Sequence, residues 1–270
     1  MNRWKVFGLL LFLSSALSLY ADPINLGTAG NFAVLGAETV SNTGSTFITG
    51  DLGLYSGTSI TGFFGTTANE GPGLVAGGTV HQTDAVASQA HSDARTAYIT
   101  LAGLTSTTLT GDLGGRTLTP GVYDYAYGAL LTGTLTLDAQ QDPNALFVFQ
   151  IGGALTTATD SSVATINGAD WHNVYWQIDN SATLGERTDF LGNILANTGV
   201  TLNTGANIID GRAFSLNGAV TLDNNTISIF NSVSDSLAAT EVPEPGSLLL
   251  LGAGLFGLVL LGRISRKRAA

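Results

Sequence analysis

Apolar and polar positions alternate in short bursts along this chain, and the clearest burst occurs twice. Val200-Thr201-Leu202 returns as Val220-Thr221-Leu222, twenty positions later. Side chains alternate along a strand, so Val and Leu would point inward and Thr outward. Between the copies lie short apolar stretches, Gly and Asn, with very little charge. A period near twenty, with one apolar–Thr–apolar triplet per turn, is the pattern of a β-solenoid coil. Stacked coils would hold the Thr residues in register, and that face is the candidate for function.

Elsewhere the bursts are strands of three to five residues broken by Gly, Asn and Ser, as in Phe32-Ala-Val-Leu35, Thr46-Phe-Ile-Thr49 and Ser59-Ile-Thr61. Thr49-Gly-Asp-Leu-Gly53 reappears as Thr110-Gly-Asp-Leu-Gly114. Asp51 and Asp112 read as turn residues that cap the local backbone. Calcium is the sharper alternative, but no dense Asp/Asn ligand loop surrounds either one. Ala145–Ile151 and Asn173–Ile178 echo one another with Gln150 and Gln177 in matching places, and their continuous apolarity predicts strands covered on both faces. Trp171, Tyr175 and Trp176 read as packing residues rather than a ligand platform.

One stretch breaks the strand pattern. Residues 79–101 hold helix formers without Gly or Pro, and Val80, Ala87, Ala90, Ala94, Ala97 and Leu101 recur at threes and fours. This predicts one helix, bounded by Gly77-Gly78 and Gly103, whose Ala stripe lies very close to a flat solenoid side.

The ends of the chain are of another kind. Residues 1–21 carry Arg3 and Lys5, an apolar run from Val6 to Leu13 and small residues to Ala21, the pattern of a secretory signal peptide. The solenoid domain is expected over 22–241 and a tail over 242–270. The tail opens with Val242-Pro243-Glu244-Pro245 and continues as an uncharged apolar segment, 247–262. It closes with Arg263, Arg266, Lys267 and Arg268. Sixteen helical residues span roughly 24 Å, short of a hydrocarbon core of about 30 Å, so the segment inserts only marginally and favours transient membrane association. The basic end favours the cytoplasmic side.

Trimming the ends changes the charge. Residues 22–245 keep four Arg, no Lys and all twenty acidic residues, a net charge of −16. Such a domain lacks the phosphate-neutralising residues that nucleic-acid binding needs. With no Cys, thiol chemistry is excluded, and a domain of this size can bury a sufficient core without disulfides. There is no nucleophile elbow, phosphate-binding loop or zinc-protease motif. His81 and His91 fall ten apart on the predicted helix, too far for a shared metal, and His172 reads as structural. No enzyme, cofactor or metal site is expected.

Several blocks in order resemble the ice-binding (antifreeze) family also known as DUF3494. They are Asn25–Leu35, Ile48–Gly53, Leu118–Tyr123, Val174–Ile178 and Leu195–Leu222. The resemblance implies a mainly β fold, a three-sided β-solenoid with discontinuous coil order and one long α-helix along it. It also implies that ice binds one flat face. Some family members carry Thr-(Ala/Gly)-x-(Thr/Asn) there. Matches in this chain are Thr198-Gly-Val-Thr201, Thr204-Gly-Ala-Asn207, Thr43-Gly-Ser-Thr46 and Thr28-Ala-Gly-Asn31. Positions i and i+3 fall on opposite sides of a straight strand, so the motif would span a strand and its turn. The candidate ice-binding residues are Thr198, Thr201, Thr204, Asn207, Thr221, Thr43 and Thr46. Asn217-Gly-Ala-Val220 departs from the motif, and Thr157-Ala-Thr-Asp160 ends in a charge.

The tail resembles a PEP-CTERM sorting signal, with Pro243, Glu244 and Pro245 as its motif. That resemblance implies an exosortase partner during export from a Gram-negative bacterium, removal of the tail, and delivery to the cell surface or extracellular matrix. Two functions fit: adsorption to an ice crystal surface, inhibiting its growth or recrystallisation, or a non-catalytic adhesin that binds exopolysaccharide.

Overall fold

The computed structural model describes residues 24–65 and 70–229. The predicted signal peptide and tail lie outside these residues. The described strands form two parallel sheets of fifteen and seven strands. Two long strands, Asp189–Ala196 and Asn207–Ser215, bend where their pairing shifts between Phe190 and Gly192, and they fold the larger sheet around a corner. Gly192 has φ +99°, and a Cβ there would approach Val174 to 2.7 Å, so the bend needs glycine. The result is the expected three-sided solenoid.

One face, covered by a helix, contains Gly121–Tyr125, Phe147–Ile151, Val174–Ile178, the second halves of the two long strands, Phe32–Gly36 and Asp51–Leu54. The smaller sheet is the open face. Its spatial order is Ala129–Leu131, Leu155–Thr157, Ser181–Leu184, Gly199–Leu202, Val220–Leu222, Thr39–Asn42 and Ser59–Thr61. The third face includes Thr134–Asp138, Ser162–Ile166, the first halves of the long strands, Thr226–Ser228, Phe47–Thr49 and Leu74–Ala76.

Coil order and chain order part company at one joint. Val40 pairs with Val220, Ile48 with Ile227 and Leu35 with Phe214, so the two N-terminal coils stack on the C-terminal one. Connecting the N-terminal coils to the far end of the stack takes one long crossing. Ala85–Ala102, helix α1, supplies it, running about 27 Å along the solenoid.

Ala87, Ala90, Ala94, Ala97 and Leu101 are buried, as the stripe predicts. Ala90, Ala94, Ala97 and Leu101 pack with Leu35, Val148, Tyr175, Leu195 and Phe214 of the sheet. The expected start at residue 79 is corrected: Val80–Gln82 is a strand paired with Asp51–Leu54, Thr83 has φ +56°, and Asp84 caps the helix by accepting from the Ala87 amide at 2.8 Å. Strand pairing and the cap outweigh helix propensity there. Val80 therefore leaves the stripe, and His81 lies on a strand rather than on the helix. At the other end Gln150 Nε2 donates to the Leu101 and Leu104 carbonyls at 2.7 and 2.9 Å, holding the last turn of α1 against the sheet.

Along the helix face and inside the solenoid, like residues stack coil upon coil. Gln150 and Gln177 are register partners, which explains the echo between their strands. Phe149 and Trp176 stack with ring centroids 4.0 Å apart, and Trp176 meets Phe190 at 4.9 Å. Trp171, Tyr175 and Trp176 are all buried, as read from the sequence. Asp51 and Asp112 do turn work: Asp51 Oδ1 accepts from the Thr79 amide, and Asp112 Oδ1 accepts from those of Gly114 and Thr132.

Candidate functional site

The open face is built from triplets whose outer members point inward. Leu155, Ala182 and Leu184, Val200 and Leu202, Val220 and Leu222, Val40 and Ile60 are buried, so each central residue must face outward. Register then places Thr156 beside Thr183, Thr183 beside Thr201, Thr201 beside Thr221, Thr221 beside Ser41, and Ser41 beside Thr61. Six hydroxyl residues form one straight ridge. At about 4.8 Å per strand it is roughly 24 Å long. Two positions earlier on the same strands stand Ser181, Gly199, Thr39 and Ser59, all small.

Five of the ridge residues are Thr, whose branched side chain is stiff at χ1 and loses little rotamer freedom on contact. Its hydroxyl bonds water while its methyl discourages disordered hydration. No Asp, Glu, Lys or Arg occupies these two rows. Charge lies at the edges, where Arg187 forms ion pairs with Asp160 and Glu186. Arg187 donates to Asp160 at 2.7 and 3.1 Å, and this bond holds the Asp160 carboxyl below its ordinary range. Thr204 Oγ1 donates to Asp223 Oδ2, tying two neighbouring turns together.

The seven sequence candidates fall in four places. Thr201 and Thr221 are in the ridge, side by side. Thr198, Thr204 and Thr43 are exposed turn residues at the two borders of the open face. Thr198 Oγ1 bonds Asn180 Oδ1 at 2.8 Å, and beside it Asn217 Nδ2 donates to Asn197 Oδ1 at 2.6 Å, so the motif departure at Asn217 extends a corner ladder. Asn207 is on the third face, where its Oδ1 accepts from the Thr226 amide at 2.8 Å. Thr46 is 1% exposed and donates to Asn42 Oδ1 at 2.6 Å inside a corner. These last two positions are corrected: three residues on from a turn Thr, the chain has already entered the next face or its interior.

The sequence reading missed Thr156, Thr183, Ser41 and Thr61. Their signal is the same apolar–Thr/Ser triplet, seen in Leu155-Thr156, Ala182-Thr183, Val40-Ser41 and Ile60-Thr61, at spacings that vary with loop length.

The Ice-binding-like family model matches residues 34–228, from the first N-terminal coil to the last described strand. The chain belongs to the Ice-binding-like family. A second model, the PEP-CTERM protein-sorting motif, matches residues 241–267 and includes Pro243, Glu244 and Pro245. It implies export and sorting to the cell surface, with exosortase processing.

Among its relatives, the chain is 53% identical over 241 residues to an ice-binding protein of Nostoc sp. (strain HG1), covering 88% of this chain and 86% of that one. It superimposes on the crystal structure of an ice binding protein from an Antarctic biological consortium with a TM-score of 0.72. Identity there is 42%, with 83% of this chain and 96% of the other covered. The DUF3494 domain of Shewanella frigidimarina ice-binding protein 1 gives 0.69 at 32% identity, covering 76% and 96%. Members of the Ice-binding-like family are non-catalytic, so the chain is a binding protein rather than an enzyme.

Proposed function

We propose that this chain is an exported protein that adsorbs to ice through the open face and inhibits ice growth or recrystallisation there. The observation that carries this reading is the in-register ridge of Thr156, Thr183, Thr201, Thr221, Ser41 and Thr61 on the side that α1 leaves uncovered. A rigid, uncharged grid repeating at about 4.8 Å by 6.7 Å holds ordered water that can merge with a lattice. Relatives named for ice binding support the choice of ligand. The sorting motif supports delivery to the surface or matrix of a Gram-negative cell, with removal of the tail near Pro243–Pro245.

Purified residues 22–241 should partition into ice, shape crystals and show thermal hysteresis. Thr201→Tyr should abolish most of that activity at an unchanged melting temperature, since a ring in the ridge lifts a flat ligand from its neighbours. Binding on a glycan array without hysteresis, crystal shaping or inhibition of recrystallisation would replace this reading with the exopolysaccharide adhesin.

A further inference from the structure

The ridge changes shape at one end. Leu130 is the register partner of Thr156 and so occupies the next place in the row. Its neighbours Ala129 and Leu131 are buried, which fixes its outward direction, and Leu130 itself is 57% exposed. It belongs to the end strand of the seven-stranded sheet. The backbone holds it in place, because Ala129 N donates to Ala154 O at 2.9 Å and Leu130 O accepts from Leu113 N at 2.8 Å. Leucine reaches one carbon–carbon bond farther than threonine, about 1.5 Å, and carries no hydroxyl. A crystal layer is flat and stiff, so it can extend along the hydroxyl row only as far as this methyl pair.

We propose that Leu130 is the boundary of the ice-contacting surface. This inference rests on the ice-binding reading above. The contact surface then runs from Thr156 to Thr61, and the residue at 130 sets its length. Replacing the protruding side chain with threonine extends the row from six matched hydroxyl residues to seven.

The test compares wild type, Leu130→Thr, Leu130→Ala and Thr201→Tyr in the purified exported protein, by thermal hysteresis at equal concentration and by thermal melting. Leu130→Thr should raise hysteresis above wild type, and Leu130→Ala should not lower it, both at an unchanged melting temperature. A Leu130→Thr value at or below wild type, or a loss in Leu130→Ala, would make Leu130 something other than a boundary. If Thr201→Tyr is inactive while Leu130→Thr equals wild type, the boundary alone falls. An inactive wild type, or a fully active Thr201→Tyr, overturns the ice face and its boundary together.

Discussion

Three consecutive coils carry two outward-facing rows that end up in opposite environments. Leu195, Phe214 and Leu35 are register partners on the helix face, and all three are buried beneath α1. Thr201, Thr221 and Ser41 are register partners on the open face, and nothing packs on them among the described residues. Six or seven residues separate each member of one row from its counterpart in the other. The backbone pairing is parallel and continuous in both. The coil itself is therefore neutral about what lies outside it. Large apolar side chains recruit a covering helix, whose alanines let it approach closely, and small hydroxyl side chains leave a surface for water.

The comparison breaks most sharply in stability. Phe214→Ala should cost about 3–5 kcal/mol, whereas Thr221→Ala should stay within about 0.5 kcal/mol; urea denaturation of the two variants measures the gap. Equal losses would mean that the open row is buried in solution. Ala94→Leu should cost about 1–3 kcal/mol by forcing α1 off the sheet, and the same titration reads it.

A smaller effect concerns the Leu130 end of the open face, where Asp112 ties a turn to Thr132. Burial pushes the Asp112 carboxyl up, but the amides of Gly114 and Thr132, the Thr132 side chain and the nearby Arg116 charge bring it below 3.8. A depressed carboxylate contributes stability above its unfolded pKa and loses it as pH falls through the lower folded value. Asp112→Asn should therefore be less stable than wild type at neutral pH and approach it below pH 3.8; melts across that range test the sign. The smallest change is Ser41→Thr. It restores the one missing methyl in the ridge and should raise hysteresis slightly with no shift in the melt, whereas a fall would show the ridge to be already matched.

Much of this was legible in the chain. The Val-Thr-Leu pair twenty apart gives both the coil and the outward sense of Thr201 and Thr221, and the Ala stripe gives all of α1 except its start. What stayed hidden depends on closure. Thr183 lies 18 residues from Thr201, and Thr156 lies 27 from Thr183, because the corner loops differ in length. A fixed period of twenty therefore reaches Thr201–Thr221 and Ser41–Thr61 but neither Thr183 nor Thr156. Asn207 and Thr46 were misplaced because a motif written on consecutive residues takes no account of the corner it turns. No local pattern could show that Ser41 joins the row beside Thr221, 180 residues away.

That distant pairing bears on how the protein comes to exist outside the cell. A chain threaded outward from its N-terminus delivers residues 32–61 first, yet their lower neighbour, the coil ending at Ser228, emerges last. The molecule cannot be assembled coil by coil as it arrives. Its first two coils must wait, with their edges unpaired, for almost the whole sequence. Contacts of such long range slow folding, and an unpaired edge is a place for strands of other molecules to attach. Secretion thus carries a hazard that the finished solenoid no longer shows: the stretch that closes one end of the open-face row is the stretch exposed longest before it has anything to lie on.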